Sequence, residues 1–94
     1  MKAVQLTLIG RVQGVGVRYW SVRKARELGL NGWVRNEVDR CRVRVWIEGE
    51  DAAVDSFVAL CQVPWVSGRP GSFESVGVLA VLPAGVSDFE VRWR

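Results

Sequence analysis

Apolar and polar positions alternate from residue 4 to residue 9: Val4, Leu6 and Leu8 fall on one side, Gln5, Thr7 and Ile9 on the other. A period of two marks a β-strand with one buried face. After a glycine-rich stretch at 10–16 the period lengthens. From about 17 to 28, Val22, Ala25 and Leu28 share a helical face, while Arg23, Lys24, Arg26 and Glu27 lie mostly elsewhere. Gly29-Leu30 reads as a Schellman stop: glycine takes the left-handed position and the leucine packs back. Two more strands, 32–37 and 41–48, flank a short turn around Val38-Asp39-Arg40. In the second, Val43, Val45 and Ile47 alternate with Arg42, Arg44, Trp46 and Glu48, which predicts one buried and one wetter face. Asp51 is placed to cap a second helix over 52–62, where Val54, Phe57, Val58 and Cys61 recur at helical spacing. The run 64–72, PWVSGRPGS, holds two prolines and two glycines and predicts a loop. Strands at 76–82 and 89–93 complete the pattern.

The predicted order is β-α-β-β-α-β, which suits the split-βαβ, ferredoxin-like arrangement. The expected fold is α+β: a four-stranded antiparallel sheet, two helices on one of its faces, and a short extra strand at an edge. A chain of 94 residues suits one domain spanning 1–94. This fold hosts many functions, so it decides none.

Composition narrows the chemistry. Hydrophobic residues make up 49%, enough for a core. No apolar stretch approaches the roughly 18 residues of a membrane span. The first residues, Met1-Lys2-Ala3-Val4-Gln5, lack the long apolar run of a secretion signal, so a cytoplasmic protein is expected. Cys41 and Cys61 are too few for a disulfide framework; two reduced thiols are expected, with a single bridge left open. The net charge of +3 favours anionic partners but does not separate a small phosphate from a nucleic acid. There is no histidine. That removes the common general base and the common metal ligand, and it excludes Ser-His-Asp and Cys-His catalysis within the chain.

The stretch Gly10-Arg11-Val12-Gln13-Gly14-Val15-Gly16-Val17-Arg18 leaves a strand and enters a helix. Successive N–H groups in such a turn can point into one concavity, a nest for anions. The helix N-terminus adds unpaired donors and the positive end of its dipole. Arg18 stands where its planar fork can grip two phosphate oxygens. The stretch is neither a Walker A loop nor a Rossmann G-x-G-x-x-G. Spacing alone leaves two readings open: an anion site, or a tight turn whose glycines serve geometry only.

The same nine residues resemble the signature loop of the acylphosphatases. Val12-Gln13-Gly14-Val15 match that family's Val-Gln-Gly-Val in full. Gly32-Trp33-Val34-Arg35-Asn36 is similar to its second signature. Leu28-Gly29-Leu30, Glu48-Gly49 and Phe57 resemble the family as well, mainly over residues 4–60. The family consists of small ferredoxin-like enzymes that hydrolyse acyl phosphates to a carboxylate and inorganic phosphate, without metal, cofactor or phosphoenzyme. The resemblance implies that Arg18 binds the phosphoryl group and Asn36 orients the attacking water. It implies that the amides of Gln13, Gly14, Val15, Gly16, Val17 and Arg18 cradle the phosphate. The expected ligands are a small acyl phosphate and, as product-like ions, inorganic phosphate or sulfate. A monomer is expected. Trp20 and Trp33, near the two motifs, are candidates for bordering the acyl pocket.

The chain departs from the family in places. Val17 stands where phenylalanine is usual, and Asp39-Arg40 where the family commonly has Asp-Gly. Arginine does not take the positive φ of a type I′ turn readily, so a longer turn or one of another type is expected. Arg44 also departs, and the 64–72 loop, with its unusual Trp65, matches the family's Gly-Pro connection only roughly. Two alternatives stand beside hydrolysis: a low-activity acylphosphatase-like domain that binds anions or a partner, and an RNA-binding module of the same element order. For the second, Arg42, Arg44 and Trp46 share one sheet face, with Arg92 and Arg94 as further candidates, but a single aromatic and no RNP1 pattern disfavour it.

Overall fold

The computed structural model describes residues 1–93. Strand β1 (Lys2–Arg11) buries Val4, Leu6 and Leu8 on one face, as the alternation requires. It pairs antiparallel with β3 (Arg42–Gly49) on one side and with β4 (Ser72–Val81) on the other. Strand β2 (Asn31–Asn36) pairs antiparallel with β3, and β5 (Phe89–Val91) lies parallel to β2. The sheet order is β4-β1-β3-β2-β5. Helices α1 (Val17–Glu27) and α2 (Asp51–Gln62) bury Trp20, Ala25, Val54, Phe57 and Cys61 in one cluster with Val4, Leu6, Val43 and Val45. Both helices therefore cover the same sheet face. Arg94, one of the expected face arginines, lies outside the described residues.

The four expected strands are antiparallel, and the short fifth one makes the sheet mixed. The reason lies in the connection after β4, which crosses the end of the sheet where β3 also ends. There the Glu48 carboxylate, 2% exposed, accepts the N–H groups of Ala84 (3.3 Å), Gly85 (3.0 Å) and Val86 (3.2 Å) and the Trp46 indole N–H (3.3 Å). Burial pushes this carboxyl up, but the amides and the indole outweigh it and hold Glu48 below the usual carboxylate range. The chain then rises beside β2, and the Gly32 N–H donates to the Asp88 carbonyl at 2.8 Å.

Three local expectations change. The buried stripe of α1 is Val17, Trp20, Ser21 and Ala25; Val22 and Leu28 are only half-buried. Trp20 turns the helix this way by packing between Phe57 and Phe73, with ring centroids 6.0 and 6.5 Å apart. Asp51 is the first helical residue of α2; Glu50, in extended backbone, holds the cap position without a side-chain bond. Strand β4 begins at Ser72 rather than at 76, because Gly10 and Arg11 pair with Phe73 and Ser72. The end of α1 is the expected Schellman motif. Gly29 has φ +71°, its N–H donates to the Arg26 carbonyl (3.1 Å), and the Leu30 N–H donates to the Ala25 carbonyl (2.8 Å).

Candidate active site

The turn between β1 and α1 is anchored by Val12 and Val17, each 1% exposed in the core. Between them Gly14 and Gly16 have φ of +73° and +96°, values that favour glycine. Gly16 holds the N-cap of α1 and gives it no side-chain cap. Among the described residues, no carbonyl or side chain accepts the N–H groups of Gln13, Gly14, Val15, Gly16, Val17 or Arg18. The turn is thus a row of unspent donors at the positive end of a helix.

The 64–72 loop supports this turn from below. Gly71 has φ +72°, and a Cβ there would run into the Arg11 carbonyl and crowd Val15 and Val17, while Pro70 lies alongside Gly16. Arg69 ties the loop down. Its guanidinium donates to the carbonyls of Leu60 (2.7 Å), Val63 (2.9 Å) and Pro64 (3.0 Å) at the end of α2 and lies over the Phe73 ring at 4.2 Å. A cation there satisfies the carbonyls that the helix end leaves open.

Arg18 is the second residue of α1, with its guanidinium 4.4 Å from the centre of the Trp93 ring. Asn36 ends β2, paired with Val43 and therefore on the helix-covered face of the sheet. One terminal nitrogen of Arg18 and the Oδ1 of Asn36 are buried without a hydrogen-bond partner among the described residues. Both residues line one cleft of about 390 Å³, together with Gln13, Glu37, Arg40 and Trp93. The structure brings Gln13, Arg18 and Asn36 to this cleft, while Gly14, Gly16 and Val17 of the turn line a second concavity that Arg18 also borders. Two orphaned polar atoms of opposite character, a donor and an acceptor, single this cleft out as the candidate site.

The side chain of Gln13 adds a contact beyond the expected backbone one. Its backbone N–H remains open, but its side chain turns to the β2–β3 connection. The Nε2 group donates to the carbonyls of Glu37 (2.8 Å), Asp39 (3.1 Å) and Arg42 (2.9 Å). It has two hydrogens for three acceptors, so at least one is shared. The clamped connection is longer than a two-residue turn, as Asp39-Arg40 predicts. The Glu37 N–H donates to the Arg42 carbonyl (3.1 Å), and the Asp39 carboxylate accepts the Cys41 N–H (2.9 Å). The Glu37 carboxylate sits between Arg44 (2.7 Å) and Arg35 (3.6 Å).

The tryptophans are redistributed. Trp20 is buried in the core, and Trp33 lies on the outer sheet face, stacked on Trp46 at 6.2 Å. Neither borders the cleft; Trp93, which the sequence did not single out, does. On the outer face Arg35 and Arg92 lie over Trp33, while Arg42, Arg44 and Arg92 pair with Asp39, Glu37 and Glu90. The aromatic face thus covers itself with its own cations, which removes the open platform that an RNA base needs. Gly71, Arg69 and Trp93 are the parts of the site that sequence reasoning missed. The Pro70-Gly71 pair was the one visible signal.

Comparison with known proteins agrees with this geometry. The acylphosphatase family profile matches residues 4–71. An acylphosphatase from Nocardioides sp. is 42% identical over 90 residues, covering 96% of this chain and 87% of that protein. One from Haloarcula marismortui is 42% identical over 84 residues, covering 89% and 88%. The crystal structure of acylphosphatase from Bacillus subtilis superposes with a TM-score of 0.85 at 30% identity, covering 99% of this chain and all of that one. With the signature loop, the asparagine strand and the sheet order all in place, this chain belongs to the acylphosphatase family.

Proposed function

We propose that this acyl phosphate hydrolase holds the phosphoryl group on the amides of Gln13 to Arg18 and on the Arg18 guanidinium, with water oriented by Asn36. The observation that carries the reading is the pair of buried, unpartnered atoms, Arg18 Nη1 and Asn36 Oδ1, in one cleft. A phosphoryl oxygen satisfies the first and a water hydrogen the second.

The reaction asks little more. Water oxygen bonds to phosphorus, the bond from phosphorus to the acyl oxygen breaks, and that oxygen leaves as a carboxylate. The water proton passes to a phosphoryl oxygen. A carboxylate is a good leaving group, so the demand is for positioning and for stabilising charge on the phosphoryl oxygens. Main-chain donors and one arginine supply both, and the reading calls on no metal or cofactor. Glu37, already shared by two arginines, is given no role as a base. The departure at Val17 leaves the buried anchor of the loop intact. All residues in the reading come from one chain, which suits a monomer. Inorganic phosphate or sulfate is the expected product-like ligand. Cys41 is free and exposed, and the Cys61 thiol is free, buried and pushed up to about 12 by that burial. Two free thiols support a reducing, cytoplasmic setting.

The test is phosphate release from acetyl phosphate and benzoyl phosphate in excess chelator. Arg18→Ala and Asn36→Ala are each expected to lower kcat/KM about a hundredfold or more, the scale for losing one preorganised charge-stabilising group. Activity that survives both substitutions refutes the assignment.

A further inference from the structure

The cleft that holds Arg18 and Asn36 is also lined by Arg40 and Arg92, against the carboxylate of Glu37. The carboxylates in and beside it already have partners. Glu37 sits between Arg44 (2.7 Å) and Arg35 (3.6 Å), and Glu90 pairs with Arg92 (3.0 Å). Asp39 pairs with Arg42 (3.3 Å) and accepts the Cys41 N–H (2.9 Å). Arg18 and Arg40 are thus the two cleft arginines that no carboxylate answers among the described residues.

Arg40 is exposed, yet the β2–β3 connection that carries it is tied on both sides of it. The Gln13 side chain donates to the carbonyls of Asp39 (3.1 Å) and Arg42 (2.9 Å). The Arg42 N–H donates to the Asp39 carbonyl (3.0 Å), and the Cys41 carbonyl accepts the Gly10 N–H (2.9 Å). The connection is therefore fastened to the same β1–α1 segment that carries the phosphate amides, with Arg40 on the cleft wall. A cleft with surplus charge of one sign focuses its field on a ligand of the other sign. The phosphoryl group of an acyl phosphate is an anion, and it leaves as one, inorganic phosphate. We infer that Arg40 is a second cation for this group, a specificity-determining residue that draws the phosphoryl anion into the cleft and favours substrate and product phosphate alike. This inference rests on the placement of phosphate at Arg18 proposed above. An exposed cation of this kind attracts ground state and transition state equally, and such uniform binding is read in KM and in phosphate inhibition rather than in kcat. Its field reaches about 10 Å at 0.1 M salt, so the role does not need the close registration that Asn36 needs.

The experiment measures hydrolysis of benzoyl phosphate, and its inhibition by inorganic phosphate, for the wild type, Arg40→Gln, Arg40→Lys and Arg40→Glu. Each is run from about 0.02 M to about 0.5 M sodium chloride, a range over which screening becomes strong. At low salt Arg40→Gln is expected to raise KM and the phosphate inhibition constant about two- to fivefold, the scale of one exposed ion pair. Arg40→Lys keeps the charge and is expected to stay within about twofold of wild type, and Arg40→Glu to lose roughly the square of the Arg40→Gln factor. High salt is expected to bring all four proteins together. Arg40 lies outside the core, so none of these changes threatens the fold. Equal inhibition constants in all four proteins, or a loss confined to kcat and indifferent to salt, overturns the assignment. If Arg18→Ala abolishes hydrolysis while the Arg40 variants change nothing, only the role of Arg40 fails. If Arg18→Ala leaves hydrolysis intact, the phosphate placement fails and takes this inference with it.

Discussion

Gln13→Leu isolates the coupling between the phosphate turn and the strand that ends in Asn36. The substitution keeps the volume and removes the Nε2 donors to the carbonyls of Glu37, Asp39 and Arg42. Two hydrogens serve three acceptors, so the loss counts as two hydrogen bonds at about 0.5–1.5 kcal/mol each. The Asp39 and Arg42 contacts are exposed and water replaces them, which places the fall in global stability near the low end, about 1 kcal/mol. The kinetic effect is larger because Glu37 follows Asn36 directly. A misplacement of about 1 Å in a positioned group costs on the order of a hundredfold in rate. Gln13→Leu is therefore expected to lower kcat about ten- to a hundredfold. KM and the phosphate inhibition constant should move less than threefold or so, since Arg18 and the turn amides are untouched. The assay is steady-state hydrolysis of benzoyl phosphate with phosphate inhibition, repeated in an Asn36→Ala background. A positioning residue that acts through Asn36 adds little further loss there. An equal loss in both backgrounds, or weakened phosphate binding with unchanged kcat, refutes the coupling.

Two further outcomes are expected. Gly71→Ala forces a Cβ at φ +72° against the Arg11 carbonyl, Val15 and Val17. It is expected to cost about 1–3 kcal/mol of backbone strain in urea denaturation and to lower kcat/KM by distorting the turn; wild-type stability and activity would show that the loop does not buttress the site. Glu48→Gln should lose about 2 kcal/mol at pH 7, the scale for hydrogen bonds to a buried carboxylate. Because the folded Glu48 carboxyl is held below its ordinary 4.5, its contribution is complete above that pH and disappears as pH falls through the lowered folded value. The gap between wild type and Glu48→Gln in urea midpoints should therefore close on acidification below about pH 4.5; a gap that ignores pH contradicts the carboxylate's role.

Much of this architecture was legible before any coordinates. Val4, Leu6 and Leu8 gave strand β1, Gly29-Leu30 the end of α1, and the resemblance carried by the two signatures gave Arg18 and Asn36. The first two rest on neighbours in the chain, a period and a turn glycine. The misreadings have a common cause. Val22 satisfies the helical period as well as Trp20 does, and only the packing of Trp20 between Phe57 and Phe73 selects the face. Trp33 adjoins a signature residue, yet strand alternation puts Trp33 and Asn36 on opposite faces of β2.

By itself, then, the sequence determined the element order, the glycine turn and the absence of histidine chemistry, and its resemblance to the acylphosphatases singled out the two residues that meet in the cleft. The tertiary structure decided the partners. It placed Trp93 on Arg18, Gly71 under the turn, Gln13 on the far hairpin and Glu48 on the connection that creates a parallel fifth strand. Periodicity records which side of an element is buried. It carries no information on which distant segment does the burying, because that depends on how the strands order themselves in the sheet.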